Sequence, residues 1–288
     1  MPQTADMPEL PELEVQKEIL RRRVLGRPIA AARVLRPGIL KTVEPPLDAI
    51  TQRSFSDVTR RGKHLILSLE PALHLVVHLM VAGRFVACRS DTRPTKATGL
   101  IVRFAGGEDL RLVENGSVKR AAAYVVKDPA DVPWIAQAGI EPLSPEFDVP
   151  MLAAMASGKR RQAKKLLTDQ DTIAGIGTAY ADEILFAAGI APIRFVNTLH
   201  LDEVARLHAA IQDVLSQAIE EVRRRAGDTL VEDDVRDFLK IYRREGEPCP
   251  VCGTPIAEIR YAETRTYYCP ACQSAGKTLP DRRSWLER

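Results

Sequence analysis

The sequence contains no apolar run that approaches the roughly 20 residues required by a transmembrane helix. Its first residues, MPQTADMPEL, lack the basic start and the apolar stretch of a secretory signal peptide. Internal repeats and low-complexity segments are also missing. These absences argue against a membrane-spanning, a secreted or a repeat protein, and we therefore expect a protein of the cytoplasm without a membrane partner.

A strong charge of either sign is missing too. The 41 Lys and Arg residues nearly balance the 38 Asp and Glu residues, which leaves a net charge of +3. Such a balance does not by itself indicate a nucleic-acid partner. Basic residues are nevertheless clustered at 159–165 and 223–225. Each cluster either neutralises phosphates or forms an ordinary solvated helix face.

Cysteine is almost absent from the first 248 residues, where only Cys88 occurs. Cys249-x-x-Cys252 and Cys269-x-x-Cys272 follow, with 16 residues between the two pairs. This spacing lets two tight turns of a hairpin converge on one tetrahedral ion. Four thiolates leave no open coordination position, so the sequence predicts one structural Zn²⁺ and no metal-bound nucleophile.

Hydrophobic periodicity divides the chain of 288 residues, whose length suggests two domains. A helical pattern runs from Leu13 to Leu25, and short alternating runs follow from about residue 30 to 127, which predicts an antiparallel β-sandwich or barrel. A loop rich in Pro and Gly near residues 139–150 precedes the second half. Helices are predicted there at 151–168, 179–188, 200–225 and 231–242. The predicted fold class is α+β with several domains.

Gly175-Ile176-Gly177 lies directly before one predicted helix. Two glycines at this position expose backbone N–H groups at a helix N-terminus, where they can bind a phosphate. An ordinary turn between helices explains the same pattern, and the spacing alone leaves both interpretations open.

Three segments together carry a resemblance. They are Met-Pro-Glu-Leu-Pro-Glu at 7–12, Ala-Gly-Ile-Gly-Thr-Ala-Tyr-Ala-Asp-Glu-Ile-Leu-Phe at 174–186, and the four-cysteine segment that ends Cys272-Gln273. In order and spacing the chain resembles the formamidopyrimidine-DNA glycosylase/endonuclease VIII family. The resemblance implies an N-terminal catalytic β-sandwich with a leading helix (1–145), a helix-two-turns-helix DNA-binding domain (146–242) and a β-hairpin zinc finger (243–288). It also implies damaged double-stranded DNA as the partner, and we expect a monomer.

The resemblance implies a bifunctional enzyme of base excision repair, a DNA glycosylase that is also an abasic-site lyase. An α-amino group has a pKa near 8, whereas a lysine side chain has one near 10.4, so a terminal proline is the better nucleophile at neutral pH. Attack of the Pro8 amine on C1′ displaces the base and leaves an iminium link to the opened sugar. The neighbouring Glu9 moves protons, and Glu12 supports it through water.

Further roles follow from the same resemblance. Lys63 in Gly62-Lys63 reaches the lesion and the phosphates and is counted with Pro8 and Glu9 as catalytic, although a solvated turn lysine fits the same pattern. Met80 or Val81, together with Arg120, fills the space left by the flipped base. A role in core packing explains Met80 equally well. The DNA-binding residues carried over in this way are Met80, Arg120, Lys164, Gly177, Thr178 and Arg265.

The sequence also departs from the family pattern. Pro8 is nucleophilic only as a free amine, so we expect translation to start at Met7 with loss of that methionine, or cleavage of residues 1–7. Pro2 is a weaker candidate because Gln3 follows it and cannot act as an acid. The segment 116–122 lacks the aromatic wedge that the family has beside its arginine. Thr178 replaces the family asparagine, and the finger arginine falls at Thr264, one residue before Arg265.

Two other functions compete with the glycosylase. A non-catalytic DNA-damage-binding paralogue would keep the helices and the finger without a usable amine. A zinc-ribbon protein of transcription or translation is the weaker alternative. Oxidised guanine and its ring-opened relatives are the first expectation for the lesion. Oxidised pyrimidines are left open, because the segments that would discriminate between lesions are the ones that depart from the family pattern.

Overall fold

The structure, a computed structural model, forms two compact units. The first comprises Met1–Gln137 and Ile219–Val235, and the second comprises Ala138–Ala218 and Arg236–Arg288. The residues that the structure describes are 7–116, 118–158, 160–230, 236–261 and 264–280.

The first unit begins with helix α1, Leu10–Val24, which starts at a capping box. The Glu12 carboxylate accepts the backbone N–H of Glu9 at 2.8 Å, so a helix N–H that would otherwise lack a partner is satisfied. Eight strands follow α1: β1 (Ile29–Val34), β2 (Phe55–Arg61), β3 (His64–Leu69), β4 (Leu73–His78), β5 (Gly83–Arg89), β6 (Thr98–Phe104), β7 (Glu108–Glu114) and β8 (Ala122–Val126).

These strands form two four-stranded sheets, ordered β1-β6-β7-β5 and β2-β3-β4-β8, in which every pair is antiparallel. Phe55 of one sheet meets Phe104 of the other edge to face, with ring centroids 6.4 Å apart, and both are buried. The predicted sandwich with a leading helix is therefore confirmed. A short helix, α2 (Pro133–Ala136), places Ile135 against Ile66 and Val76 on the outer side of the second sheet.

The second unit is mainly helical and ends in a hairpin. Its elements are α3 (Val149–Ser157), α4 (Ala163–Thr168), α5 (Thr178–Ala188), most of α6 (Leu201–Ala226), β9 (Ala257–Tyr261), β10 (Thr264–Tyr268) and α7 (Pro270–Ser274). Strands β9 and β10 pair antiparallel, with Arg265 opposite Arg260. The predicted helical segment and finger hairpin are both present.

One predicted helix, 151–168, is divided in the structure. The N–H groups of Ala163 and Lys164 donate to the carbonyls of Arg194 and Pro192, at 2.8 and 3.1 Å, and not to carbonyls four residues earlier. A tertiary strand-like contact therefore replaces helical hydrogen bonds, and α4 begins afresh at Ala163.

The predicted helix at 231–242 is wrong over its described part, because residues 236–242 form turns; residues 231–235 lie outside the described residues. Here the N–H groups of Lys240, Ile241 and Tyr242 donate to the Glu183 carboxylate at 2.8–2.9 Å. A buried side chain has taken the donors that a helix would have used.

Among the described residues, no helix combines the length and the apolar character needed to cross a membrane.

Candidate functional site

The start of α1 presents two carboxylates. Glu9 is the N-cap of the helix and only 2% exposed, while Glu12 lies one turn later and is 4% exposed. Both lie at the N-terminal end of the helix. Pro8, directly before this pair, is half-buried. The start of α1 thus fixes three groups: the nitrogen of Pro8, the carboxylate of Glu9 and the carboxylate of Glu12. The Glu12 carboxylate is hydrogen-bonded to the backbone N–H of Glu9.

Lys63 occupies the apex of the hairpin between β2 and β3. The connection has two residues, Gly62 and Lys63, and Gly62 adopts a φ of +54°. A glycine at the first position of a two-residue hairpin suits the twist of the flanking strands. Lys63 itself is half-buried, so the strand pair fixes the base of this side chain.

Two histidines that the sequence analysis did not single out lie behind this apex. His64 begins β3 and pairs across the sheet with His78 at the end of β4, and their rings meet edge to face at 4.5 Å. Burial lowers the pKa of His64 to about 4 and the pKa of His78 to about 3. Both rings are therefore neutral at pH 7. The available signal was that each histidine adjoins a turn already predicted to be functional.

The turn between β4 and β5 carries Met80 and leads from one sheet to the other. Met80 has a φ of +55°, a conformation that is rare for a residue with a side chain and that often marks a functional site. Its N–H donates to Nδ1 of His78 at 2.9 Å, which fixes the ring proton of neutral His78 on Nε2. Met80 is half-buried, and the neighbouring Val81 is 40% exposed.

Arg120 lies in the loop between β7 and β8, and the buried Glu114 organises this loop. The Glu114 carboxylate accepts the N–H of Arg120 at 2.6 Å and that of Ala121 at 2.8 Å, and it pairs with Arg36 at 2.6 Å. The Arg120 side chain remains exposed. Sequence reasoning missed Glu114, because nothing in the pattern of a strand end announces a carboxylate that holds the following loop.

The Gly175–Gly177 turn of the second unit is built around Gln170. This amide accepts the Gly175 N–H at 2.9 Å and donates to the Ile176 carbonyl at 2.6 Å. Gly175 has a φ of +88°, and Gly177 is the N-cap of α5. Thr178, the first residue of α5, is exposed. The turn therefore fixes the start of α5 and leaves Thr178 exposed beside it. A helix N-terminus is a general site for anion binding.

The clusters of basic residues are largely engaged within the protein. Arg161 pairs with Asp169 at 2.7 Å, and the guanidinium of Arg160 lies 4.5 Å from the centre of the Phe195 ring. The three arginines at 223–225 pair with glutamates, at distances of 2.5–2.8 Å. Lys159 lies outside the described residues. For 223–225 the structure favours the interpretation as a helix face over that as a phosphate patch.

Lys164 differs from its predicted place at a DNA surface. It is 7% exposed, and its ammonium group lies 2.7 Å from the Asp182 carboxylate. It also donates to the Arg265 carbonyl and to the Thr266 hydroxyl, both at 2.9 Å. Three oxygen atoms of the protein therefore lie within 3 Å of the ammonium group. The structure thus places the ammonium group among contacts within the protein and not at an exposed surface.

Arg265 lies on β10, and its side chain is 57% exposed. One guanidinium nitrogen is 3.7 Å from the buried Glu258 carboxylate, which limits the movement of the side chain without burying it. Thr264, where the family arginine was expected, is also exposed and precedes it on the same strand.

The four paired cysteines converge within the second unit. Their sulfur atoms all lie within 4.8 Å of one another, and three of the Sγ–Sγ distances are 3.4, 3.5 and 3.9 Å. A Zn–S bond of 2.3 Å gives a tetrahedron with edges of roughly 3.8 Å, so the cluster fits one zinc ion. The Gln273 amide links the cluster to the chain just after α5: it accepts the Cys269 N–H at 2.8 Å and donates to the Ile190 carbonyl at 2.9 Å. The predicted structural zinc is confirmed.

Comparison with known families accounts for all of these parts in order. Residues 7–120 match the formamidopyrimidine-DNA glycosylase N-terminal domain, residues 138–227 match the formamidopyrimidine-DNA glycosylase H2TH domain, and residues 246–275 match the zinc finger found in FPG and IleRS. The chain belongs to the formamidopyrimidine-DNA glycosylase family. The resemblance first indicated by three short segments is thereby confirmed along the chain.

Relatives and solved structures agree with this assignment. The formamidopyrimidine-DNA glycosylase of Symbiobacterium thermophilum is 36% identical over 96% of this chain and 93% of its own length. That of Moorella thermoacetica is 37% identical over 88% of this chain and 95% of its own. The Lactococcus lactis enzyme in complex with abasic-site DNA is 27% identical, with a TM-score of 0.84 over 92% of this chain and 99% of that one.

Proposed function

We propose that this protein removes oxidised bases from duplex DNA through a Schiff base formed by the amine of Pro8. Family membership carries the broader statement, that the chain is a base-excision-repair DNA glycosylase with abasic-site lyase activity. The proposal that Pro8 forms the Schiff base is supported by the start of α1, where Pro8 immediately precedes the buried Glu9.

The chemistry requires Pro8 as a free secondary amine. The family match begins at residue 7, the methionine directly before Pro8, and this supports translation from Met7 with loss of that methionine, or cleavage of residues 1–7. The N–C1′ bond forms as the bond from C1′ to the base breaks, and the base takes up the proton that the amine loses. Opening of the sugar ring then needs a proton at O4′, which Glu9 supplies, and the resulting iminium permits elimination of the 3′ and then the 5′ phosphate.

We assign the contacts with DNA to residues of each unit. On the first unit, Lys63 and Arg120 supply cations, while Met80 and Val81 supply apolar side chains for the space left by a flipped base. On the second unit, the helix start at Gly177 and Thr178 and the exposed Arg265 bind phosphates. The zinc holds the hairpin that bears Arg265 and takes no part in the reaction.

Substrate and setting complete the proposal. Oxidised guanine and formamidopyrimidine lesions are the first expectation, and the related Lactococcus lactis enzyme has been crystallised with Fapy-dG DNA and with DNA containing an oxidised pyrimidine. We further propose that the protein acts as a monomer in the cytoplasm, without a membrane partner.

Borohydride trapping tests the proposal. Protein produced from Met7, with methionine removed, is mixed with an abasic-site duplex and sodium borohydride, and the cross-linked peptide is mapped. We expect a cross-link at Pro8. The matched controls are the chain beginning at Met1, purified with its first residues intact, and Glu9→Gln in the shortened chain. Glu9→Gln should slow base excision by about 10²–10⁴-fold.

The outcomes separate the alternatives. A cross-link at Pro2 or at a lysine moves the nucleophile and contradicts the assignment of Pro8. If folded protein binds the duplex without forming any cross-link, the chain is a non-catalytic binder of damaged DNA.

A further inference from the structure

The second unit contains a buried ion pair that takes no part in the proposed reaction and does not bind the zinc. Lys164 of α4 and Asp182 of α5 lie 2.7 Å apart, and they are 7% and 0% exposed. Burying two charges is costly unless other hydrogen bonds satisfy them. The partners that satisfy this pair therefore show what it holds.

Those partners are consecutive residues of β10. Lys164 donates to the carbonyl of Arg265 and to the hydroxyl of Thr266, each at 2.9 Å. The other oxygen of Asp182 accepts the N–H of Tyr267 at 3.0 Å. The pair thus binds one backbone acceptor and one backbone donor on either side of Thr266. A shift of β10 by one residue would break all of these contacts.

A second carboxylate on the same helix reinforces the arrangement. Glu183 accepts three successive N–H groups from Lys240, Ile241 and Tyr242, in the segment before the finger. Tyr242 and Tyr267 meet edge to face with ring centroids 5.4 Å apart. Helix α5 therefore binds the finger at its entry and at its second strand.

We infer that the Lys164–Asp182 pair is a positioning device for Arg265. The pair fixes the backbone of Arg265 from within the unit and leaves the side chain more than half exposed for a DNA phosphate. Lys164 thus promotes DNA binding through Arg265 without touching DNA. This inference rests on the proposed function only in naming the phosphate as the ligand.

A double-mutant cycle distinguishes positioning from direct contact. Affinity is measured at several salt concentrations for a duplex containing a stable abasic-site analogue, with Lys164→Met, Arg265→Ala and the double variant. Loss of one phosphate contact lowers the magnitude of the logarithmic salt slope by about 0.9. We expect about tenfold weaker binding for Arg265→Ala and a similar loss for Lys164→Met. The double variant should bind no more weakly than Arg265→Ala, with about 0.9 lost from the slope in all three.

The adjacent Lys165 provides the matched control, because its side chain is exposed. Lys165→Met removes the same charge from the same helix, and its effect should add to that of Arg265→Ala. Zinc content and melting temperature are recorded for every variant. If Lys164→Met loses zinc, Lys164→Met combined with Asp182→Asn removes both charges and retains an oxygen for the Tyr267 N–H.

Amide exchange of the DNA-free protein gives an independent readout. Exchange across 264–268 should accelerate in Lys164→Met and remain unchanged in Lys165→Met. Additive losses in the double variant, with about 1.8 lost from the slope, would mean that Lys164 itself binds phosphate and would overturn the inference. Unchanged exchange across β10, or full affinity in Arg265→Ala, would also overturn it. Failure of borohydride trapping would instead refute the Pro8 chemistry and leave this coupling unaffected.

Discussion

The histidine pair His64–His78 makes the stability of the first unit depend on pH. His64 has a pKa of about 4 and His78 a pKa of about 3, whereas an unfolded histidine titrates near 6.5. Between these values the unfolded chain binds more protons than the folded one. The contribution of each histidine is therefore fully present above about pH 6.5 and is lost as the pH falls toward the folded pKa.

The expected loss can be worked out for a change from pH 7 to pH 5. Protonation of an unfolded histidine with a pKa of 6.5 lowers the free energy of the unfolded state by about 2 kcal/mol at pH 5. A folded histidine with a pKa of about 4 recovers almost none of this. The pair should thus cost the first unit about 4 kcal/mol, and His64→Phe should reduce the loss to about 2 kcal/mol. Phenylalanine keeps a ring against His78, so packing changes little.

Urea unfolding followed by tryptophan fluorescence measures this difference. The chain has two tryptophans, Trp134 and Trp285, and Trp285→Phe leaves Trp134 as the reporter. Trp134 lies on α2 of the first unit. Taking the difference between wild type and His64→Phe cancels the contributions of His74 and of the carboxylates. Equal losses of stability in the two proteins between pH 7 and pH 5 would refute the claim that His64 is held neutral.

Three further predictions concern the zinc site, the close contact of Gly83 with the Leu79 carbonyl, and the buried Glu183 carboxylate. Cys269→Ser should release zinc and weaken DNA binding while the sandwich stays folded, and retained zinc by metal analysis would contradict this. Gly83→Ala should destabilise the first unit by about 2–4 kcal/mol, because an added Cβ would lie 2.1 Å from the Leu79 carbonyl oxygen. Gly38→Ala, which meets nothing within 4 Å, is the control in thermal unfolding. Glu183→Gln should speed amide exchange at 240–242, since its NH₂ group would face N–H donors, at a cost of about 1–3 kcal/mol; unchanged exchange would rule this out.

The sequence predicted those features that depend on residues close together in the chain. Alternating apolar residues between about 30 and 127 predicted the sandwich, and the cysteine spacing predicted the zinc, because a side chain's neighbours in sequence set these features. Gly62-Lys63, in contrast, was identified through the family resemblance.

Features that depend on distant partners could not be predicted in this way. Helical periodicity at 231–242 gave no sign that Glu183, more than fifty residues earlier, takes the N–H groups of residues 240–242. Lys164 stands among basic residues in the sequence, yet Asp182 and β10 enclose it. Glu114 and the His64–His78 pair were missed because their roles exist only once the strands have paired.

The first unit is discontinuous in sequence, and this affects how it folds during synthesis. Besides residues up to 137, it includes the end of α6, where Val222 is fully buried and Arg223 pairs with Glu18 of α1 at 2.8 Å. A ribosome that adds about 5–20 residues per second needs several more seconds to reach this segment after the last strand of the sandwich has been made. Until then the nascent sandwich lacks the end of α6, which packs on its surface. A fragment that ends at residue 137 is left permanently in that incomplete state.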